Sequence, residues 1–264
     1  MKGLCFLLAV PVAAVILQAQ PAITPGGVLN GASFTKGQAV APGSLVSIFG
    51  SGLASGLTQN DTVPLSTTLS NVSVKINNIP AGLYFVSSGQ VNAQIPWDVL
   101  PSAGSSGTAT VVVSNNGVAS QGEPVTIVPV APAIFYLPDA GGWAIAINAD
   151  GSLAAPENAI PGVATHPAGV GDGIAILATG LGAVDSPIAN GAGSLDKLRR
   201  TVVVPLVLLG GQAAPVAFSG LAPQFPGVNQ VNFSVPQGAP TGTVSLQLQA
   251  GGITSPDAAK IALR

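Results

Sequence analysis

The chain has 264 residues, including 34 Gly and 23 Pro, while Asp, Glu, Lys and Arg together make up only 7%. Soluble domains are typically about 25% charged. A chain with 8 basic and 10 acidic residues therefore lacks the charged patches that bind nucleic acids or anionic membranes. A hydrophobic content of 47% argues against disorder, so we expect a folded protein of one or two domains.

The N-terminus predicts export. Lys2 precedes a short apolar run over residues 4–17, and the small residue Ala19 follows it, which is typical of a secretory signal peptide. The run is shorter than the roughly 20 residues that span a bilayer. We therefore predict cleavage after Ala19, no transmembrane segment in the mature chain, and a secreted, extracellular or cell-surface protein, with the periplasm as an alternative. Cys5, the only cysteine, would be removed with the signal peptide.

From residue 40 onward the sequence has an all-β pattern. Apolar residues occur in short runs separated by Gly, Pro, Asn and Ser, without the 3.6-residue periodicity of an amphipathic helix. Val72, Val74 and Ile76 alternate with polar residues, as expected of a strand with one buried face.

The chain also contains an internal repeat. The matching segments are residues 43–53 with 171–181, Asn77-Asn78 with Gly210-Gly211, residues 90–92 with 230–232, and Asn116-Gly117 with Gly251-Gly252. Asn and Gly both tolerate positive φ in tight hairpin turns, so the two copies share backbone geometry where their residues differ. The spacing of the turns predicts two tandem immunoglobulin-like β-sandwiches.

We divide the chain accordingly. The predicted parts are a signal peptide at residues 1–19, an N-terminal segment at 20–40, sandwich 1 at 41–130, a connector at 131–168 and sandwich 2 at 169–264. The connector is rich in Pro, Gly and Ala but also contains the apolar stretch 143–148, which indicates a small hairpin. We expect it to pack on one of the sandwiches.

One strand differs between the copies. Where copy one has the polar residues Asn71, Ser73 and Lys75, copy two has Val204, Leu206 and Leu208. An apolar stripe of this size usually marks a contact surface. We expect it to pack against copy one, the connector or another chain.

Five ordered segments resemble the Solibacter-type uncharacterised C-terminal domain family of secreted acidobacterial proteins. They are residues 40–50, 89–98, 131–135, 148–152 and 178–182. Each half is also similar to the IPT/TIG class of immunoglobulin-like domains. The resemblance implies an exported protein but no assigned activity, since members of the family generally carry this region at the end of larger proteins. Residues 162–171 depart from the family pattern as an apparent insertion.

The sequence argues against catalysis. His166 is the only histidine, no Gly-x-Ser-x-Gly motif is present, and the ten acidic residues lie singly. The sequence has no Cys or His cluster, and residues 148–151 indicate an Asp-Gly turn in preference to a calcium loop. We predict no enzyme activity, no catalytic residue, no metal and no cofactor. The basic cluster at residues 197–200 predicts a solvated loop.

Two aromatic residues are candidates for ligand binding. Trp97 follows Ile95-Pro96 at the end of a predicted strand, and Trp143 follows two glycines. Exposed indole rings can stack on the C–H faces of sugars. The alternative is that both rings fill the hydrophobic core.

The sequence therefore predicts a secreted, non-catalytic β-sandwich protein that serves as a binding, adhesion or cell-surface assembly module. Its partner would be an extracellular polysaccharide, a cell-envelope component or a second copy of the chain. One alternative is an exported carbohydrate-active hydrolase, which would bring two acids, or an acid and His166, into one cleft. The other is an envelope-targeting or secretion module.

Overall fold

A computed structural model of the protein describes residues 20–102, 104–256 and 258–264. The predicted signal peptide and its cleavage site lie outside the described residues. Within the described part, the regular structure is β-strand apart from one 3₁₀ turn, Pro138–Ala140. No helix there is long and apolar enough to cross a membrane. The all-β prediction is confirmed.

Sandwich 1 consists of two antiparallel sheets. Its strands are β1 (Ala22–Asn30), β2 (Leu45–Ser51), β3 (Thr58–Gln59), β4 (Thr68–Leu69), β5 (Val72–Ile76), β6 (Ile79–Pro80), β7 (Leu83–Val86), β8 (Gln90–Gln94), β9 (Gly107–Asn115), β10 (Val118–Ala119) and β11 (Glu123–Ile127). One sheet has the order β1-β2-β8-β7-β3, and the other has the order β10-β9-β5-β4, with β11 on β9 and β6 on β5. Strand β1 comes from the predicted N-terminal segment and lies at the edge of the first sheet.

Sandwich 2 repeats this arrangement. Its strands are β12 (Ala133–Ile134), β13 (Tyr136–Leu137), β14 (Trp143–Ala144), β15 (Ala146–Asn148), β16 (Gly173–Thr179), β17 (Leu206–Leu209), β18 (Gln212–Ala214), β19 (Val216–Leu221), β20 (Asn229–Ser234), β21 (Gly242–Ala250), β22 (Ile253–Thr254) and β23 (Lys260–Leu263). One sheet has the order β12-β16-β20-β19, with β15 on β16, and the other β13-β14-β23-β21-β17-β18, with β22 on β21. Strands β12–β15 come from the connector, which packs on sandwich 2.

The repeat is visible in the backbone. Asn77 and Asn78 have φ values of 49° and 66° in the turn between β5 and β6, and Gly210 and Gly211 have 55° and 89° in the turn between β17 and β18. Both pairs occupy the left-handed region that a two-residue hairpin turn requires. The structure thus has two tandem immunoglobulin-like sandwiches, each enclosing its own hydrophobic core between its two sheets.

The strand that distinguishes the two copies alternates as predicted. Val74 and Ile76 of β5 are fully buried, and so are Val207 and Leu209 of β17. Because successive side chains of a strand point to opposite faces, the residues between them face outward.

The two sandwiches meet at a buried hydroxyl group. The backbone N–H of Leu45, at the start of β2, donates to Oγ1 of Thr179, at the end of β16, over 2.9 Å. The same hydroxyl donates to the carbonyl of Gly227 over 2.7 Å, and Thr179 is 0% exposed. One side chain therefore connects sandwich 1, β16 and the loop between β19 and β20.

A second contact comes from the long segment between β16 and β17. The N–H of Gly191 donates to Oε1 of Gln94 over 2.6 Å, and the carbonyl of Gly191 accepts from the N–H of Leu65 over 2.8 Å. Asn190 accepts from the N–H of Trp97 and donates to the carboxylate of Asp98. This segment of sandwich 2 is therefore hydrogen-bonded to the surface of sandwich 1.

We expect Thr179→Val to destabilise the protein by about 1–3 kcal/mol, because it removes the buried hydroxyl and leaves the N–H of Leu45 without its acceptor. Denaturant unfolding would measure the change. Thr243→Val on the exposed end of β21 is the matched control and should be close to neutral. Equal stability of the two variants would contradict the role given to the Thr179 hydroxyl.

Candidate functional site

A short polar ladder crosses the outer face of the first sheet of sandwich 1. Oδ1 of Asn92 accepts from Nε2 of Gln90 over 2.8 Å and from Oγ of Ser47 over 3.0 Å. Gln90 and Asn92 alternate with the buried Val91 along β8, so both amides face away from the core. The amide NH₂ of Asn92 and the side-chain carbonyl of Gln90 have no protein partner in the part of the chain that the structure describes.

Aromatic side chains border this ladder. Tyr84 and Phe85 lie on β7 of the same sheet, Phe135 follows β12, and Phe225 lies in the loop between β19 and β20. The hydroxyl of Tyr84 donates to the carbonyl of Pro226 over 2.8 Å. Burial raises the pKa of Tyr84, so its hydroxyl stays protonated and keeps donating. Phe225 is next to the carbonyl that Tyr84 binds, and it is 51% exposed.

Together these residues line a groove between the two sandwiches, which we call the junction groove. Its volume is about 640 Å³, and its lining comprises Gly31, Leu45, Val46, Ser47, Gln59, Asn60, Tyr84, Phe85, Gln90, Asn92, Phe135 and Phe225. An apolar recess of about 160 Å³ shares Leu45, Tyr84, Phe135 and Phe225 with it. No lining residue carries a charge. The groove is within the size range of ligand sites and combines apolar walls with a few polar groups.

Trp97 and Trp143 lie outside the junction groove. A Cβ on Gly43 would collide with the ring of Trp97, and Nε1 of Trp97 is buried without a hydrogen-bond partner in the described residues. Trp143 is 8% exposed and packs with Ala155, Ile160 and Ala262, while Nζ of Lys260 lies 4.7 Å from its ring centroid. These contacts leave little of either ring for a ligand, so binding through them stays a prediction.

His166 is partly exposed, and both of its ring nitrogens have hydrogen-bond partners. Its Nε2 lies 3.0 Å from Oδ2 of Asp150, and its Nδ1 lies 3.0 Å from the carbonyl of Pro167. The Pro167 carbonyl and the Asp150 carboxylate both raise the pKa of His166. Hydrogen bonds from Ser152, together with His166, lower the pKa of Asp150 to about 2. The turn at residues 148–151 therefore supplies a carboxylate partner for His166.

This pair brings an acid and the histidine together beside a cavity of about 260 Å³, which Asp172 and Arg264 also line. The arrangement differs from a hydrolytic triad. Both ring nitrogens of His166 are occupied, and the hydroxyl of Ser152 donates to Asp150 over 2.7 Å. No ring nitrogen is left to accept a proton from a nucleophile. Among the described residues, no group of three or more His, Cys, Asp or Glu is placed to hold a metal ion.

The basic cluster at residues 197–200 divides into two environments. Arg199 is 6% exposed and binds both carboxylate oxygens of Asp196, over 2.6 and 3.1 Å. This contact lowers the pKa of Asp196 to about 2. The prediction of a fully solvated loop was wrong for Arg199, whereas Lys197 and Arg200 are exposed.

The apolar stripe formed by Val204, Leu206 and Leu208, which we call the β17 stripe, begins just before β17 and is open to solvent at its first two residues. Val204 is 64% exposed and Leu206 is 40% exposed, while Leu208 is partly buried. Val204 and Leu206 are therefore not covered by copy one or by the connector. Contact with another chain stays a prediction.

The fold defines the class of protein as one built from two tandem immunoglobulin-like β-sandwiches. Residues 30–127, which cover sandwich 1 from the end of β1 to the end of β11, match the IPT/TIG domain family. No curated protein matches the chain. Membership in the acidobacterial family stays a prediction.

Similarity to solved structures is weak. The SGBP-B protein of the Bacteroides ovatus mixed-linkage glucan utilization locus, in complex with a mixed-linkage heptasaccharide, is 12% identical with a TM-score of 0.31 over 86% of this chain and 43% of its own. SGBP-B from a complex xyloglucan utilization locus in Bacteroides uniformis is 13% identical with a TM-score of 0.24, over 92% and 49%. The C-terminal domain of the Streptococcus agalactiae AgI/II polypeptide BspA is 9% identical with a TM-score of 0.20, over 89% and 97%. This chain spans less than half the length of the two SGBP-B proteins, and similarities at these scores support no argument about it.

Sequence reasoning found part of the junction groove without identifying it as a site. The repeat at residues 90–92 predicts matching segments but does not show that the amides of Gln90 and Asn92 belong to a site. For Phe225, the only signal in the sequence is its position between Gln224 and Pro226 in a segment with two prolines and a glycine, which predicts a loop.

The ion pair of His166 predicts a pH-dependent contribution to stability. A histidine whose pKa is raised on folding stabilises fully below its unfolded pKa, near 6.5, and loses the effect as pH rises through the folded value. We expect the melting temperature of the wild type to exceed that of His166→Gln by more at about pH 5.5 than at about pH 8.5. A difference that stays constant with pH would contradict the pairing.

Self-association through the β17 stripe is also testable. We expect the double variant Val204→Lys, Leu206→Lys to lower the average molar mass measured by light scattering at high concentration, because it places two charges in an apolar contact. Thr243→Lys on β21 is the control. A wild-type protein that is monomeric throughout would show that no second copy covers the stripe.

Proposed function

We propose that the protein is an exported, non-catalytic binding module that holds a neutral saccharide in the junction groove. The observation that carries this proposal is the composition of the groove, where outward-facing amides lie beside aromatic rings without any charged side chain.

Saccharide hydroxyl groups both donate and accept hydrogen bonds, and the sugar C–H faces are apolar. Asn92 offers a donor group, Gln90 offers an acceptor, and Ser47 holds Asn92 in place. Phe225 and Tyr84 provide apolar surface next to these amides. The pairing of amide groups with aromatic faces matches the two kinds of surface on a sugar ring.

The same composition favours binding over hydrolysis. Cleavage of a glycosidic bond generally needs a carboxylic acid that protonates the leaving group and a second carboxylate on the other side of the bond. The lining of the junction groove includes no Asp, Glu or His. The pair formed by Asp150 and His166 lines a different cavity.

Export supports a polysaccharide as the physiological partner. The N-terminal residues have the order of a signal peptide, and an exported protein meets polysaccharides of the cell envelope and of the surroundings. A soluble or insoluble neutral polysaccharide is therefore the first ligand to examine.

We expect native electrophoresis through gels containing neutral polysaccharides, such as starch, glucomannan and β-glucan, to retard the purified protein in at least one case. Phe225→Ala should weaken that binding about three- to tenfold, because it removes one stacking surface. Val163→Ala, an exposed apolar substitution outside the groove, is the control. Absence of retardation in every gel, or unchanged binding by Phe225→Ala, would contradict the proposal.

A further inference from the structure

Sandwich 2 carries a counterpart of the polar ladder. Nε2 of Gln230 donates to Oδ1 of Asn232 over 2.8 Å, which is the distance between Gln90 and Asn92 in sandwich 1. The position of Ser47, opposite Asn92, is taken by Ala175, opposite Asn232. The outward amide pair is therefore present twice, but only the first pair is supported by a serine.

An aromatic residue also recurs beside each pair. Phe218 lies opposite Asn232, and Phe85 lies opposite Asn92, in each case directly after a register shift between the two strands. A shift of this kind changes the direction of the side chains that follow it. The same backbone irregularity thus places a phenylalanine next to the amide pair in both sandwiches.

The amide pair of sandwich 2 lies in a trough. A cavity of about 330 Å³ is lined by Leu198, Phe218, Leu221, Pro223, Gln230 and Asn232. Asn232 also lines a second cavity of about 300 Å³. We call these two cavities together the β20 trough.

A cationic side chain lies next to Phe218, one of the residues that line the first cavity of the β20 trough. The guanidinium of Arg200 lies 5.1 Å from the centroid of the Phe218 ring, and Arg200 is exposed. In the part of the chain that the structure describes, this guanidinium has no ion pair, although Asp185 accepts the backbone N–H of Arg200 over 3.2 Å. Arg199, its neighbour, is the residue that Asp196 neutralises.

We propose that the β20 trough is a second saccharide-binding face, selective for sugars that carry a carboxylate. The proposal rests on the proposed function of the junction groove, because it assigns to the second amide pair the role of the first. The guanidinium of Arg200 would bind the sugar carboxylate, since arginine presents several N–H donors in a fixed plane. Gln230 and Asn232 would bind the hydroxyl groups. The two sandwiches would then differ in specificity, neutral for the first and acidic for the second.

Polygalacturonate and its fully methyl-esterified form are the probes for this proposal, because they share a backbone and differ in charge. We expect native gels with polygalacturonate to retard the protein and gels with the ester to retard it less. Arg200→Gln should weaken polygalacturonate binding about tenfold, as expected for loss of a charge-assisted contact. Lys197→Gln, which removes one charge from the same exposed segment, should leave it unchanged.

Phe225→Ala separates the two proposals. This variant should bind polygalacturonate like the wild type while losing affinity for a neutral polysaccharide, and Arg200→Gln should show the reverse. Failure of neutral binding alone would overturn the proposed function of the junction groove. Absence of polygalacturonate binding, equal binding of the ester, or equal losses in Arg200→Gln and Lys197→Gln would each overturn the acidic-sugar face.

Discussion

The buried hydroxyl of Thr179 joins the two sandwiches to the loop between β19 and β20, and the junction groove depends on this connection. The N–H of Leu45 finds its acceptor in a side chain of the other sandwich. Because the same hydroxyl binds Gly227, it also fixes the loop that carries Phe225. A Cβ at Gly227 would lie 2.9 Å from the carbonyl of Gly43, so the close approach needs glycine there. The junction groove exists because this loop is held over the first sheet.

The fold was largely predictable from the sequence because its signals are local. The alternation of Val72, Val74 and Ile76 predicts a half-buried strand, and the paired Asn and Gly residues predict hairpin turns. The junction was not predictable, since its contacts join distant residues. Leu45 and Thr179 are 134 positions apart, and Gln94 and Gly191 are 97 apart. Nothing in either segment alone specifies its partner. The same limit applies to the pair of His166 and Asp150, because the sequence predicts a turn at Asp150 but not its contact with His166.

The two copies show how one framework can support different surfaces. Both copies have the outward amide pair and a neighbouring phenylalanine. The strand register places the phenylalanine opposite the asparagine in each copy. Their surroundings differ because of position in the chain. In sandwich 1, Phe135 and Phe225 from sandwich 2 line the same groove as the amide pair. In sandwich 2, the lining of both cavities beside the pair lies within residues 147–234, and Arg200 lies over the ring of Phe218.

Scarcity of charge determines how such a protein can bind. With 7% charged residues, long-range steering of a ligand is weak, so affinity must come from contacts at short range. Affinity is then higher when the side chains of the site are already ordered before the ligand binds, because less conformational entropy is lost on binding. The junction groove meets this condition, because Tyr84 is held by Pro226 and Asn92 by Ser47 and Gln90 before any ligand is present. In the proposed function, these hydrogen bonds serve recognition as well as stability, because they order the groove in advance.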